Sequence, residues 1–110
     1  MIRHVILWKL KEGYSEEEKQ GIKAGIKEGL ESLVGKIPGL VSIRVHTQGI
    51  PGSTADAMLD SEFESVDALR GYSVHPEHVA VANSRVRPHV AVRSCLDFED
   101  CGCADTFSGY

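Results

Sequence analysis

Ile2-Arg3-His4-Val5-Ile6-Leu7-Trp8-Lys9-Leu10 is the stretch that decides the fold. It contains no glycine or proline and mixes β-branched, aromatic and aliphatic residues, the composition of a strand. Alternation sorts it into two faces. Ile2, His4, Ile6, Trp8 and Leu10 share one, and Arg3, Val5, Leu7 and Lys9 share the other. A sheet wetted on one side alternates cleanly between apolar and polar residues. Here both faces are apolar near the middle, so this strand is expected to be covered on both sides.

After the turn at Gly13-Tyr14, Ser15-Glu16-Glu17-Glu18 reads as a capping box. The Ser15 side chain can accept from the Glu18 amide while the Glu18 side chain reaches back to the Ser15 amide. Ile22, Ile26, Leu30, Leu33 and Ile37 follow at three- and four-residue spacing, which predicts an amphipathic helix ended by Gly35 and Pro38. Gly21, Gly25 and Gly29 form a second stripe on that helix. Either the helix packs closely on the sheet there or the stripe leaves room for a ligand, and close packing is the expected reading.

Leu40 to Gln48 predicts a second strand, with Val41, Ile43 and Val45 on one face and Ser42, Arg44 and His46 on the other. Ala55 to Phe63 predicts a third, with Ala57, Leu59, Ser61 and Phe63 on one face. The turn-rich loop between them, Gly49 to Thr54, is short enough for a hairpin. Ser65 can cap a short helix carrying Val66, Leu69 and Tyr72. His75-Pro76 breaks it, because the residue before proline avoids the helical region. Pro76 suits the first position of a new helix, which makes His75 its N-cap. That helix is expected to run past Ala82 and stop before Pro88. His89 to Phe98 predicts the last strand, with Val90, Val92, Leu96 and Phe98 on one apolar face.

The order βαββαβ is a ferredoxin-like split βαβ in the α+β class, with a four-stranded antiparallel sheet. Its helices cover one sheet face. The apolar residues of the first and last strands on the other face call for a second copy, so a homodimer closing two sheets into a barrel is expected. Residues 1–99 form the domain and 100–110 a C-terminal tail.

The chain has 12 basic and 16 acidic residues and a formal charge of −4, with no Lys/Arg cluster, which argues against nucleic acid and anionic membranes as partners. No apolar run approaches the length of a membrane-spanning helix, and the start lacks the pattern of an export signal. Its three cysteines, Cys95, Cys101 and Cys103, are an odd number. A reducing, cytoplasmic setting is therefore expected rather than a disulfide framework. Cys101-Gly102-Cys103 reads as a loose thiol-bearing tail, since two sulfurs cannot complete a tetrahedral zinc site and Cys95 adds only a third. No metal or cofactor is expected.

Several stretches together resemble the stress-responsive α/β-barrel (Dabb) family: Ile2 to Lys11, Ile37-Pro38-Gly39-Leu40, Glu62-Phe63-Glu64-Ser65, and above all Tyr72-Ser73-Val74-His75-Pro76-Glu77-His78. The resemblance covers about residues 1–99 and implies the dimeric α+β barrel. Some plant members of this family are stress proteins that build large assemblies. A plant polyketide cyclase of the same fold, olivetolic acid cyclase, performs an intramolecular aldol condensation. Its catalytic tyrosine and histidine match Tyr72 and His78, and a further pocket histidine matches His4. Its pocket tyrosine on the first helix is replaced near Gly25 and Ile26, and a histidine of its third strand by about Ala57.

On this reading His78 is the catalytic base. It lies at the third position of the helix begun by Pro76, where the positive helix end favours a neutral imidazole, able to accept a proton from carbon next to a carbonyl. The Tyr72 phenol orients His78 or donates to a developing enolate oxygen. His4, Ile6, Trp8, Leu59 and His75 are the expected substrate contacts, although for His75 capping is preferred to any part in the chemistry. The ligand class is a small apolar, polyketide-like carbonyl compound, and the activity a cyclase or isomerase. The alternatives are a noncatalytic stress protein working through assembly and a module that binds without turnover.

Overall fold

The first strand pairs with both of its neighbours and organises everything else. The computed structural model describes residues 1–100; the tail with Cys101 and Cys103 lies outside the described residues. Ile2–Leu10 forms β1, Glu16–Glu31 α1, Leu40–His46 β2, Ala57–Phe63 β3, Val66–Val74 α2, Pro76–Val81 α3 and Val90–Glu99 β4. The strand order is β2-β3-β1-β4 with every pair antiparallel, the ferredoxin-like arrangement. Ile6, Trp8, Leu59 and Phe63 from one sheet face pack with Ile26 and Leu30 of α1 and Leu69 and Tyr72 of α2 in a single core. Burying side chains of this size contributes about 1.5–3 kcal/mol each. The other sheet face carries Arg3, Val5 and Leu7 of β1 opposite Phe98, Leu96 and Ser94 of β4.

The helix starts follow the local chemistry. Ser15 Oγ accepts from the Glu18 amide at 3.1 Å and Glu18 returns the bond to the Ser15 amide at 2.8 Å. Ser65 caps α2 by accepting from Ala68 at 3.0 Å. The His75 side chain accepts from the Glu77 amide at 3.1 Å, so it caps α3 with Pro76 in the first turn.

Four expectations are corrected. First, α1 ends at Glu31, not near Ile37: Ser32 Oγ donates to the Gly29 carbonyl at 2.7 Å and closes the helix. Leu33 and Ile37 still reach the core, from the turns that follow. Second, β2 carries an extra residue between Leu40 and Ser42, so Leu40 enters the core and Val41 faces out. Third, β4 carries one between Val90 and Val92. Val90 turns towards the core, while Val92, Leu96 and Phe98 stay exposed at 53%, 64% and 40%. Fourth, the glycine stripe of α1 faces the helical segment 81–85 rather than the sheet. A methyl on Gly29 would come within 2.9 Å of Val81 Cγ1, whereas Gly21 and Gly25 border an open surface groove with Arg85.

Beyond α3 the helix widens into a π-type turn over Ala82–Val86, where the Arg87 amide reaches back to the Ala82 carbonyl at 2.8 Å. Such turns insert a residue and re-aim the side chains around them. This one presents Ala82, Val86 and Arg87 to the space above the sheet.

Candidate active site

That space is a cavity of about 460 Å³ between the sheet and the helices. Its floor is His4, Ile6 and Trp8 of β1 with Leu59 of β3, its roof Tyr72, Ser73 and His78, and its sides Leu30, Ala82, Val86, Arg87, Val90 and Arg93. Of the seven residues singled out in the sequence, His4, Ile6, Trp8, Leu59, Tyr72 and His78 lie on this one cavity, and His75 is not among its lining residues. His75 sits at the junction of α2 and α3, occupied with the cap.

Tyr72 and His78 are brought together by the helix break. Tyr72 occupies the last turn of α2 and His78 the first turn of α3, and their rings lie 4.1 Å apart between centroids at a 33° tilt. The contact is a stack, not a hydrogen bond. The Tyr72 hydroxyl and His78 Nδ1 are both buried without a hydrogen-bond partner among the described residues. Of the two roles expected for the phenol, donation to a substrate oxygen is the one this geometry leaves available. Leaving a buried polar atom unpaired costs about 1–3 kcal/mol.

Burial pushes the Tyr72 phenol above its ordinary range, so it is a neutral donor. Burial likewise holds the His78 imidazole below its ordinary value of 6.5; the Ser73 main chain opposes this, and His4, Arg87 and Arg93 reinforce it. The neutral ring expected from the helix end is thus favoured here mainly by desolvation. A neutral imidazole next to a neutral phenol is an acceptor–donor pair.

His4 adds a third polar group. Its ring lies edge-on to Tyr72 at 6.3 Å and to Phe63 at 6.2 Å. Its Nδ1 bonds the carboxylate of Asp97, directly opposite on β4. A carboxylate oxygen only accepts, so His4 Nδ1 donates to it. Cys95 lies beside this pair, its thiol donating to Asp97 at 3.4 Å. Burial pushes the thiol pKa up, and the Asp97 carboxylate adds to that.

The sequence reading passed over Asp97, Arg87 and Arg93. The signal was the alternation of β4: with Val92, Leu96 and Phe98 on one side, Arg93, Cys95 and Asp97 fall on the other. Pairing with β1 then sets Arg93 opposite Trp8, Cys95 opposite Ile6 and Asp97 opposite His4.

A split βαβ sheet roofed by a broken helix, with a tyrosine and two histidines lining one cavity, defines a class of small ferredoxin-like α+β domains. The chain belongs to the family of the stress-responsive A/B barrel domain, Dabb, whose profile matches residues 2–100. A dimeric protein of unknown function with a ferredoxin-like fold from Bacteroides fragilis is 34% identical, with coverage of 90% of this chain and 95% of its own and a TM-score of 0.84. An Arabidopsis thaliana protein is 23% identical, with coverage of 91% and 95% and a TM-score of 0.72. A hydroxynitrile lyase from Passiflora edulis is 18% identical, with coverage of 88% and 90% and a TM-score of 0.68, a likeness of fold alone. Among curated proteins, none matches the chain.

Proposed function

We propose that this chain is a cofactor-independent cyclase or isomerase for a small apolar carbonyl compound of the polyketide type, with His78 as base and Tyr72 as acid. One observation carries the reading: Tyr72 and His78 line one cavity, and the Tyr72 hydroxyl and His78 Nδ1 are both buried without a hydrogen-bond partner among the described residues. A substrate carbonyl and its neighbouring carbon–hydrogen bond supply complementary groups. His78 takes the proton from carbon, and Tyr72 donates to the oxygen that becomes an enolate. In a cyclisation the enolate carbon then bonds a second carbonyl carbon of the same molecule, and the proton on His78 passes to the new alkoxide. His4, held by Asp97, positions the substrate from below, and Ile6, Trp8 and Leu59 give it apolar walls.

The working unit in this proposal is a homodimer. Val92, Leu96 and Phe98 of β4 and Leu7 of β1 are exposed on the open sheet face, and the Bacteroides fragilis relative is dimeric. Among the described residues no helix is long and apolar enough to cross a membrane. Cys95 is a free thiol, which fits a reducing cytoplasm.

The test is turnover of linear polyketide-like compounds, with exchange of α-protons of aryl ketones followed by NMR. The wild-type chain should accelerate both. His78→Gln should lose roughly 10²–10⁴ in rate, and Tyr72→Phe about 10²–10³, both keeping the fold. Undiminished turnover in His78→Gln would sink the mechanism. Ligand-induced stabilisation with no turnover would select the binding module instead.

A further inference from the structure

His4 has two sides. Its ring closes the floor of the cavity, and it also borders a separate groove of about 650 Å³ between α2 and β4. Cys95 and Asp97 line that groove and not the cavity. Both point to the helix side of β4, two residues apart, Asp97 across from His4 and Cys95 across from Ile6 of β1. The antiparallel register thus gathers an imidazole nitrogen, a thiol sulfur and a carboxylate oxygen, all within 4.8 Å of one another.

We infer that His4 Nδ1, Cys95 Sγ and Asp97 Oδ1 form a binding site for a divalent transition-metal ion of the zinc class, with the fourth position open to the groove. The site shares His4 with the cavity but is argued without the reaction proposed for Tyr72 and His78.

Three observations carry it. The first is spacing. Metal–ligand bonds of about 2.0–2.3 Å at tetrahedral angles separate neighbouring ligand atoms by about 3.5 Å. Sγ lies 3.8 Å from His4 Nδ1 and 3.4 Å from Asp97 Oδ1. The remaining edge, His4 to Asp97, is spanned by the Nδ1 proton, which hydrogen-bonds the carboxylate. An ion replaces that proton and moves the carboxylate outward, which Asp97 has room to do because its side chain is 43% exposed.

The second is donor chemistry. Thiolate and imidazole select borderline and soft ions over magnesium and calcium, and one N, one S and one O donor suit a zinc-like ion. Three protein ligands with one open corner are the pattern of sites that keep a water or exogenous ligand. The third is access. His4 is buried and anchors the site, while Cys95 and Asp97 are exposed, so an ion enters from the groove without unfolding the sheet. Arg93 lies beside Cys95 and repels a dication; the thiolate and carboxylate together offset it. Binding releases the thiol proton, and the His4 proton passes from Nδ1 to Nε2, so that the imidazole ligates through Nδ1.

Cobalt(II) reports the site directly, because a thiolate ligand gives a charge-transfer band that nitrogen and oxygen donors lack. The background is the full chain with Cys101→Ser and Cys103→Ser, which leaves Cys95 as its sole thiol. One equivalent of cobalt should produce the band, and zinc should bleach it. Cys95→Ser should abolish the band and Asp97→Asn should weaken binding; both positions are exposed, and circular dichroism should show the fold unchanged. A background protein that binds no cobalt, or a band lost with Cys101 and Cys103 and kept in Cys95→Ser, overturns the assignment.

Discussion

Tyr72→Phe should make the protein more stable and less active at once. The ring is buried to 1% exposure and packs edge-on against Phe63 at 4.9 Å, contacts that phenylalanine keeps. What the substitution removes is a hydroxyl with no hydrogen-bond partner among the described residues. An unpaired buried donor costs about 1–3 kcal/mol. The substitution also forfeits the packing contacts of the hydroxyl itself, so about 1–2 kcal/mol is the expected gain. With a urea slope of about 2 kcal/mol/M for a small domain, the midpoint should rise by roughly 0.5–1 M at unchanged slope. The assay is equilibrium urea unfolding by fluorescence and circular dichroism at one fixed protein concentration, since association stabilises by mass action. A loss of 1 kcal/mol or more would mean that the hydroxyl is bonded in the folded protein. It would then be a structural group, and the case for a poised acid would fall. A gain in stability with turnover intact would free Tyr72 from the fold but also from the chemistry.

Other consequences can be checked alongside it. Burial lowers the His78 pKa from its ordinary 6.5, so the unfolded chain takes up the proton first as pH falls. Stability should decline from about pH 6.5 down to the folded-state pKa and then level off, and His78→Gln should lack that part of the slope in urea midpoints. Gly21→Ala meets nothing within 4 Å and should stabilise by about 0.5–1 kcal/mol; Gly29→Ala meets Val81 Cγ1 at 2.9 Å and should lose that gain to overpacking of about 1–3 kcal/mol. Equal shifts for the two variants in chemical denaturation would contradict the packing described for α1. Leu96→Lys, on the exposed apolar face, should shift light scattering from dimer to monomer at micromolar concentration; an unchanged mass would exclude that face as the interface.

The parts of the molecule written in local spacing were legible. Ser15 and Glu18 three apart gave the helix start, and His75-Pro76 the break that sets His78 beneath Tyr72. The strict alternation of His4, Ile6 and Trp8 gave the β1 face that floors the cavity. What escaped depends on pairing between strands distant in sequence. Nothing near Val90 or Val41 marks the extra residue that turns one valine inward and the other outward, because a bulge is defined by the partner strand. Asp97 was missed for the same reason: it acquires its role only when β4 lies beside β1 in the register that sets it against His4. Ser32 ended α1 early through a side-chain bond that competes with the helix and that apolar periodicity does not report.

The extra residue in β4 is also a place where the chain can change length without consequence for the site. Val90 serves the core, while the row from Val92 to Phe98 and the row from Arg93 to Asp97 stay on their own sides. Deleting Ala91 would make Val90 and Val92 neighbours in a regular strand, where successive residues face opposite ways, so both rows would keep their sides. Lineages that lose this residue would therefore straighten β4 and keep the lining beside His4, the open face and β1 as they are.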